Sequence, residues 1–153
     1  MNVRVEGAKE MSNFARDFVA KLKPKSERAT IVALSGELGA GKTTFAQAAA
    51  RALGVEETVN SPTFVIEKIY QLPPKNQQGV ALLVFRRLIH IDAYRLKNAD
   101  ELRALGWENI VADPANLILI EWPENVSGAI PEHAQRVSIK IEEGEERTIR
   151  YGN

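Results

Sequence analysis

The chain has 153 residues, 44% of them hydrophobic, which is enough for one substantial core and too short for two ordinary domains. Its 20 Lys and Arg balance 20 Asp and Glu, which argues against broad charge-driven binding to nucleic acid. Cysteine is absent, so disulfides and thiolate metal sites are excluded; with neither signal-peptide core nor transmembrane run at the N-terminus, a cytoplasmic protein without membrane contact is expected.

In chain order, Val3 and Val5 alternate with polar residues and open a strand. Over 8–22, Met11, Phe14, Ala15, Phe18, Val19 and Leu22 fall at helical spacing, and Pro24 follows as a stop. The polar face of that helix is mixed rather than basic, so it reads as a packing helix and not a membrane-surface one. Thr30-Ile31-Val32-Ala33-Leu34-Ser35 is a nearly continuous apolar run, the pattern of a buried parallel strand.

Directly after it, Gly36-Glu37-Leu38-Gly39-Ala40-Gly41-Lys42-Thr43 fits G-x-x-x-x-G-K-[ST], a phosphate-binding loop. Residues 43–53 then read as a helix with Phe45, Ala46, Ala49, Ala50 and Leu53 on one face and Gly54 at its end. Backbone N–H groups freed by the glycines form an anion nest at a helix N-terminus. Lys42 is expected to be exposed and to reach the outer phosphates, with the Thr43 hydroxyl on magnesium. Glu37, Leu38, Gly39, Ala40, Gly41, Lys42, Thr43 and Thr44 are therefore the predicted nucleotide-binding residues, with ATP and Mg2+ as ligands. A chance glycine turn would not carry the full motif between a strand and a helix.

Further on, 59–64 holds a proline turn and 64–70 reads as a strand. Residues 72–79, with Pro73-Pro74, predict an exposed hairpin loop, and 80–84 with 88–91 predict one long strand or two, broken at Arg86-Arg87. Asn98 is placed as an N-cap, with Glu101 completing a capping box, and Pro114 ends that helical region. Leu117-Ile118-Leu119-Ile120 is a buried strand. Val137, Ile139 and Ile141, then Ile149 and Tyr151, alternate about Gly144 as a hairpin. The predicted fold is one α/β domain over 1–153, a P-loop NTPase-like three-layer fold whose mixed sheet has a parallel core and antiparallel edge strands. Nucleotide is expected at the carboxyl ends of the parallel strands.

Two carboxylates stand where such a site needs them: Asp92 ends Leu88-Ile89-His90-Ile91, and Glu121 ends Leu117-Ile118-Leu119-Ile120. A lone strand-end carboxylate is commonly a surface charge or a helix cap. Two at matching strand ends, beside a phosphate loop, point to metal holding and water orientation. Pattern alone does not divide those roles.

Together, Glu37-Leu38-Gly39-Ala40-Gly41-Lys42-Thr43, Ser61-Pro62-Thr63-Phe64, His90-Ile91-Asp92-Ala93-Tyr94-Arg95-Leu96 and Ile120-Glu121-Trp122-Pro123-Glu124 resemble the family of the bacterial ATPase TsaE, also called YjeE. The resemblance covers nearly the whole chain. It implies an ATPase of tRNA threonylcarbamoyladenosine (position 37) biosynthesis, weak alone and stimulated by the partners TsaB and TsaD, with tRNA met only indirectly. It assigns magnesium to Thr43 and Glu121, water activation to Asp92, phosphate contact to Lys42 and an outer-phosphate sensor to Thr63, with Trp122 beside the site. Tyr94 and Arg95 position the Asp92 loop or face a partner, and His90 reads as structural. Arg147 resembles a family arginine near the base or ribose. Met11 and Ala93 depart from the family pattern, and the 72–79 loop is longer than usual. Two other readings share the loop: a small kinase, whose lid arginines would come from Arg86, Arg87, Arg95 and Arg103, and a nucleotide-gated binding module with little catalysis.

Overall fold

The structure, a computed structural model, describes residues 1–57, 59, 66–73 and 85–152. Among them seven strands form one mixed sheet, and its order explains where the carboxylates lie. The elements run β1 (Asn2–Glu6), α1 (Gly7–Ala20), β2 (Thr30–Gly36), α2 (Lys42–Ala52), β3 (Glu67–Gln71), β4 (Arg87–Asp92), α3 (Ala99–Arg103), α4 (Trp107–Ala112), β5 (Asn116–Glu121), a 3-10 segment (Pro123–Ala129), β6 (Gln135–Ile141) and β7 (Glu146–Gly152). Across the sheet the order is β1-β7-β6-β2-β5-β4-β3. β6, β2, β5 and β4 are mutually parallel, while β7, β1 and β3 add antiparallel edges.

The apolar patterns place each element. β2 and β5 are buried along nearly their whole length, as strands covered on both faces must be. On one face α1 and α2 pack over Val32, Leu34, Leu88, Leu117, Leu119, Val137 and Ile149; Phe14, Phe18, Phe45 and Tyr151 form an aromatic cluster there. On the other face α3, α4 and the 3-10 segment cover Ile31, Ala33, Ile89, Ile91, Ile118 and Ile120. The final hairpin forms as expected, and β6 also joins β2 in parallel, so the C-terminus completes the sheet on which the glycine loop rests.

One local reading is corrected and another is refined. Asn98 caps α3 by accepting from the Glu101 amide at 3.1 Å, but Glu101 reaches back to the amide of Lys97, at 2.8 Å, rather than that of Asn98. The helical region before Pro114 is also two short helices, broken at Gly106, whose φ is 87°. The strand expected over 64–70 is described from Glu67 onward; the 59–64 turn apart from Val59, the hairpin loop beyond Pro73, and 80–84 lie outside the described residues. Among the described residues no helix is long and apolar enough to cross a membrane.

Candidate functional site

β2 delivers the chain into the glycine loop, and packing fixes the loop's path. A Cβ on Gly36 would stand 2.9 Å from the Ile139 carbonyl oxygen, so only glycine lets the loop start flush against β6. Gly41 opens α2 at φ 111°, a left-handed conformation that a side chain would strain. From β7, Arg147 donates to the Ala40 and Gly39 carbonyls, both at 3.3 Å, and to those of Gly144 and Glu146 at 2.8 and 2.9 Å. Because the peptide is trans, engaging the Ala40 carbonyl points the Gly41 N–H away from β7.

Lys42 departs from expectation. It is 6% exposed, not free at the surface. Its ammonium donates to the Gly36 carbonyl and, at 3.0 Å, to that of Glu37, and it sits 4.3 Å over the Trp122 ring. Burial pushes its pKa below the ordinary lysine value, while Glu121, Glu124, Asp92 and Glu37 oppose that shift. Losing Lys42 therefore also removes three contacts that order the loop.

The carboxylates meet because β4 and β5 are parallel and in register, with Asp92 directly beside Glu121. Both are almost fully buried, at 4% and 3% exposed. Asp92 accepts from the Tyr94 amide at 2.9 Å, a turn closed two residues on. Glu121 is held differently: its Oε2 accepts from His90 Nε2 at 2.7 Å. The Ala93 amide bonds to the Glu121 carbonyl at 3.0 Å, joining the two strand ends.

After Glu121 the chain turns sharply. Trp122 is left-handed at φ 58° and ψ 48°, a costly conformation for a bulky residue, and Pro123 begins the 3-10 segment. That turn sets the indole against Lys42 and, 5.0 Å away, the Tyr94 ring. Asn125 then ties the segment to the Asp92 turn, donating to the Ala93 and Tyr94 carbonyls at 3.1 and 3.2 Å.

Lys42, Thr43, Thr44, Asp92, Glu121 and Trp122 all line one cleft of about 350 Å3, with Leu38, Gly39 and Gly41 on its loop side. A smaller cleft of about 170 Å3 adjoins it and brings Met11 and Arg147 together with Ala8, Thr44 and Glu145. No group of three or more His, Asp or Glu suited to a metal occurs among the described residues. One hydroxyl and two carboxylates in a cleft nevertheless suit magnesium, which keeps several waters and shares itself with phosphate oxygens. Thr63 lies outside the described residues. Arg87 lies far from the cleft, at the amino end of β4, bonded to Asp113 and to Asn116. Arg103 is tied to Asp100, Glu108 and the Gly128 carbonyl. His90, read from sequence as structural, contacts a site carboxylate; the signal was its place two residues before Asp92, on the same strand face.

A family model described as threonylcarbamoyl adenosine biosynthesis protein TsaE matches residues 5–149, a span that includes the glycine loop, both carboxylates and Arg147. The chain belongs to the TsaE family. Among its relatives, the tRNA threonylcarbamoyladenosine biosynthesis protein TsaE of Rickettsia typhi is 36% identical over 140 residues, covering 91% of this chain and 85% of that one. The protein of the same name from Bacillus subtilis is 35% identical over 121 residues, covering 79% and 68%. Among solved structures, Bacillus subtilis YdiB is similar with a TM-score of 0.73 at 28% identity, covering 99% of this chain and 83% of YdiB. The parallel β6–β2–β5–β4 core supplies the strand ends that bring the glycine loop and the two carboxylates into one cleft.

Proposed function

We propose that this TsaE-family chain binds and hydrolyses Mg-ATP as the ATPase component of tRNA threonylcarbamoyladenosine (position 37) biosynthesis, supporting the TsaB–TsaD complex and meeting tRNA only indirectly. The observation that carries this reading is one cleft, at the carboxyl ends of β2, β4 and β5, lined by Lys42, Thr43, Asp92 and Glu121. Strand, glycine loop and helix in that order are what a P-loop NTPase-like three-layer fold presents to a triphosphate.

Each residue has a task that follows from its chemistry. The 37–44 backbone cradles the phosphates. Lys42 exchanges its bonds to the Gly36 and Glu37 carbonyls for the outer phosphates, a charge-assisted contact stronger than those it gives up. The Thr43 hydroxyl and the Glu121 carboxylate hold magnesium. When bound, the metal supplies neutralisation of charge across the outer phosphate oxygens. Asp92 orients the attacking water and takes its proton, and Thr63 senses the outer phosphate. The smaller cleft beside Met11 and Arg147 takes the base.

Two of the four arginines that a kinase lid would draw on, Arg87 and Arg103, are engaged elsewhere rather than poised over the cleft, which weighs against the kinase reading. Hydrolysis alone is expected to be slow, with a partner ordering the catalytic segments. The test combines calorimetry of ATP binding, phosphate release, and multiple-turnover tRNA modification with TsaB and TsaD. Lys42→Ala is expected to abolish productive binding, and it will also soften the loop. Wild-type ATP affinity in that variant would sink the loop assignment. Undiminished multiple-turnover modification with the protein omitted would sink the functional claim.

A further inference from the structure

His90 is spent in an unusual way. It is 1% exposed within the apolar stretch Leu88–Ile91 of β4, and its register neighbours on β5 and β3 are Leu119 and Lys68. A strand alternates its side chains between faces, so His90 and Asp92 share one face of β4, with His90 about 6–7 Å deeper in the sheet. Leu119 and Glu121 share the matching face of β5. From its deeper position the imidazole reaches forward and across to Glu121, donating from Nε2 to Oε2 at 2.7 Å.

The other ring nitrogen carries the inference. Nδ1 is buried and has no hydrogen-bond partner among the described residues. A histidine kept only for packing leaves a polar atom unsatisfied that a leucine would not, at a cost. A proton on Nδ1 would be a buried donor without an acceptor, so the arrangement favours the tautomer with its proton on Nε2, the atom facing Glu121. The imidazole thus has one polar partner among the described residues, and that partner lines the cleft.

We propose that His90 is a positioning residue for Glu121: its Nε2–H fixes Oε2 and so presents the second carboxylate oxygen to the magnesium of bound ATP. The proposal rests on Glu121 being the metal-linked carboxylate. Its logic is that of outer-shell partners generally, which orient a ligand without touching the metal, and whose loss lowers metal affinity.

The experiment titrates Mg2+ into complexes with a non-hydrolysable ATP analogue, by calorimetry, for wild type, His90→Leu, His90→Gln and Glu121→Ala, with analogue binding in EDTA as the reference. His90→Leu keeps apolar bulk and removes the donor. It is expected to raise the Mg2+ needed for half-saturation by about 10–100-fold while leaving the affinity in EDTA unchanged. His90→Gln restores an N–H near the Nε2 position and is expected to recover most of that loss. A wild-type Mg2+ requirement in His90→Leu, or a glutamine variant no better than the leucine variant, overturns the proposal. If Glu121→Ala weakens Mg2+ dependence and His90→Leu does not, the inference fails alone; if Glu121→Ala changes nothing, the reading of Glu121 fails and takes the inference with it.

Wild-type protein gives an answer that does not depend on variants folding. With only two histidines in the chain, imidazole 15N resonances separate His90 from His133. Expected are an Nε2-protonated His90 and a shift of its signals, but not those of His133, when Mg2+ joins the analogue complex. An Nδ1-protonated ring, or unmoved His90 signals, would overturn the proposal.

Discussion

The ends of β4 and β5 lie side by side, and each closes on a buried carboxylate, but the two are anchored by different means. Asp92 accepts from the amide of Tyr94, two residues on, so part of its hold is the turn that it begins. Glu121 is gripped by a side chain 31 positions away, on the neighbouring strand. A carboxylate anchored in its own turn moves when the turn moves; one gripped across a sheet is as fixed as the sheet. Under the proposed mechanism that division suits the chemistry. A metal ligand gains from rigidity, whereas a group that must follow an attacking water tolerates, and can be regulated through, a turn that rearranges.

The largest effect expected is on turnover. Asp92→Asn keeps an oxygen for the Tyr94 amide, so the turn survives while the proposed base is lost. Phosphate release should fall by about 100-fold or more with ATP affinity nearly unchanged. If affinity collapses instead and turnover of bound nucleotide persists, the two strand ends have exchanged roles.

Glu121→Ala sharpens the contrast because it should cost stability as well as Mg2+-dependent binding. It leaves His90 buried with neither nitrogen paired, a loss of about 1–3 kcal/mol. Urea unfolding without nucleotide measures this directly, with Asp92→Asn as the comparison. Equal midpoints for both variants would mean that the grip on Glu121 contributes nothing to the resting fold.

Much of this arrangement was legible from residues. The loop motif, the two apolar runs and their terminal carboxylates predicted the strand ends at which these groups share one cleft, because burial on both faces leaves strands no other composition. Register was not legible. Nothing local says that residue 92 lies beside residue 121, so the contact between His90 and Glu121 was missed. The burial of Lys42 was missed for a related reason: the indole over it depends on a left-handed Trp122, a conformation that propensity argues against. Gly106, by contrast, is visible in the sequence, and its left-handed backbone is what splits the helical region.

A smaller effect is expected where the two ends are joined. Asn125 binds the segment after β5 to the turn after β4 through the Ala93 and Tyr94 carbonyls. Asn125→Ala should cost about 1 kcal/mol of stability and lower turnover by no more than about 10-fold, through a looser Asp92 turn. Nucleotide affinity should be unchanged. A loss of Mg2+-dependent binding instead would show that this link serves the Glu121 end, not the Asp92 turn.

The smallest effect concerns a third carboxylate that lacks such an anchor. Glu67, on β3 beside Ile91, has a buried oxygen with no hydrogen-bond partner among the described residues, and burial raises its pKa above the ordinary 4.5. The sign of the pH dependence follows. Below the ordinary value both folded and unfolded chains hold the proton, and Glu67 contributes nothing. As pH rises from 4.5 through the raised folded value, the unfolded chain has released a proton that the folded chain retains, so stability falls; above that value the full penalty remains. Glu67→Gln removes the charge and should raise the melting temperature by roughly 1–2 °C at about pH 8, with the gain vanishing at about pH 4. A gain that persists in acid would trace to packing rather than charge, and a loss at alkaline pH would mean that the carboxylate is anchored after all, as Asp92 and Glu121 are.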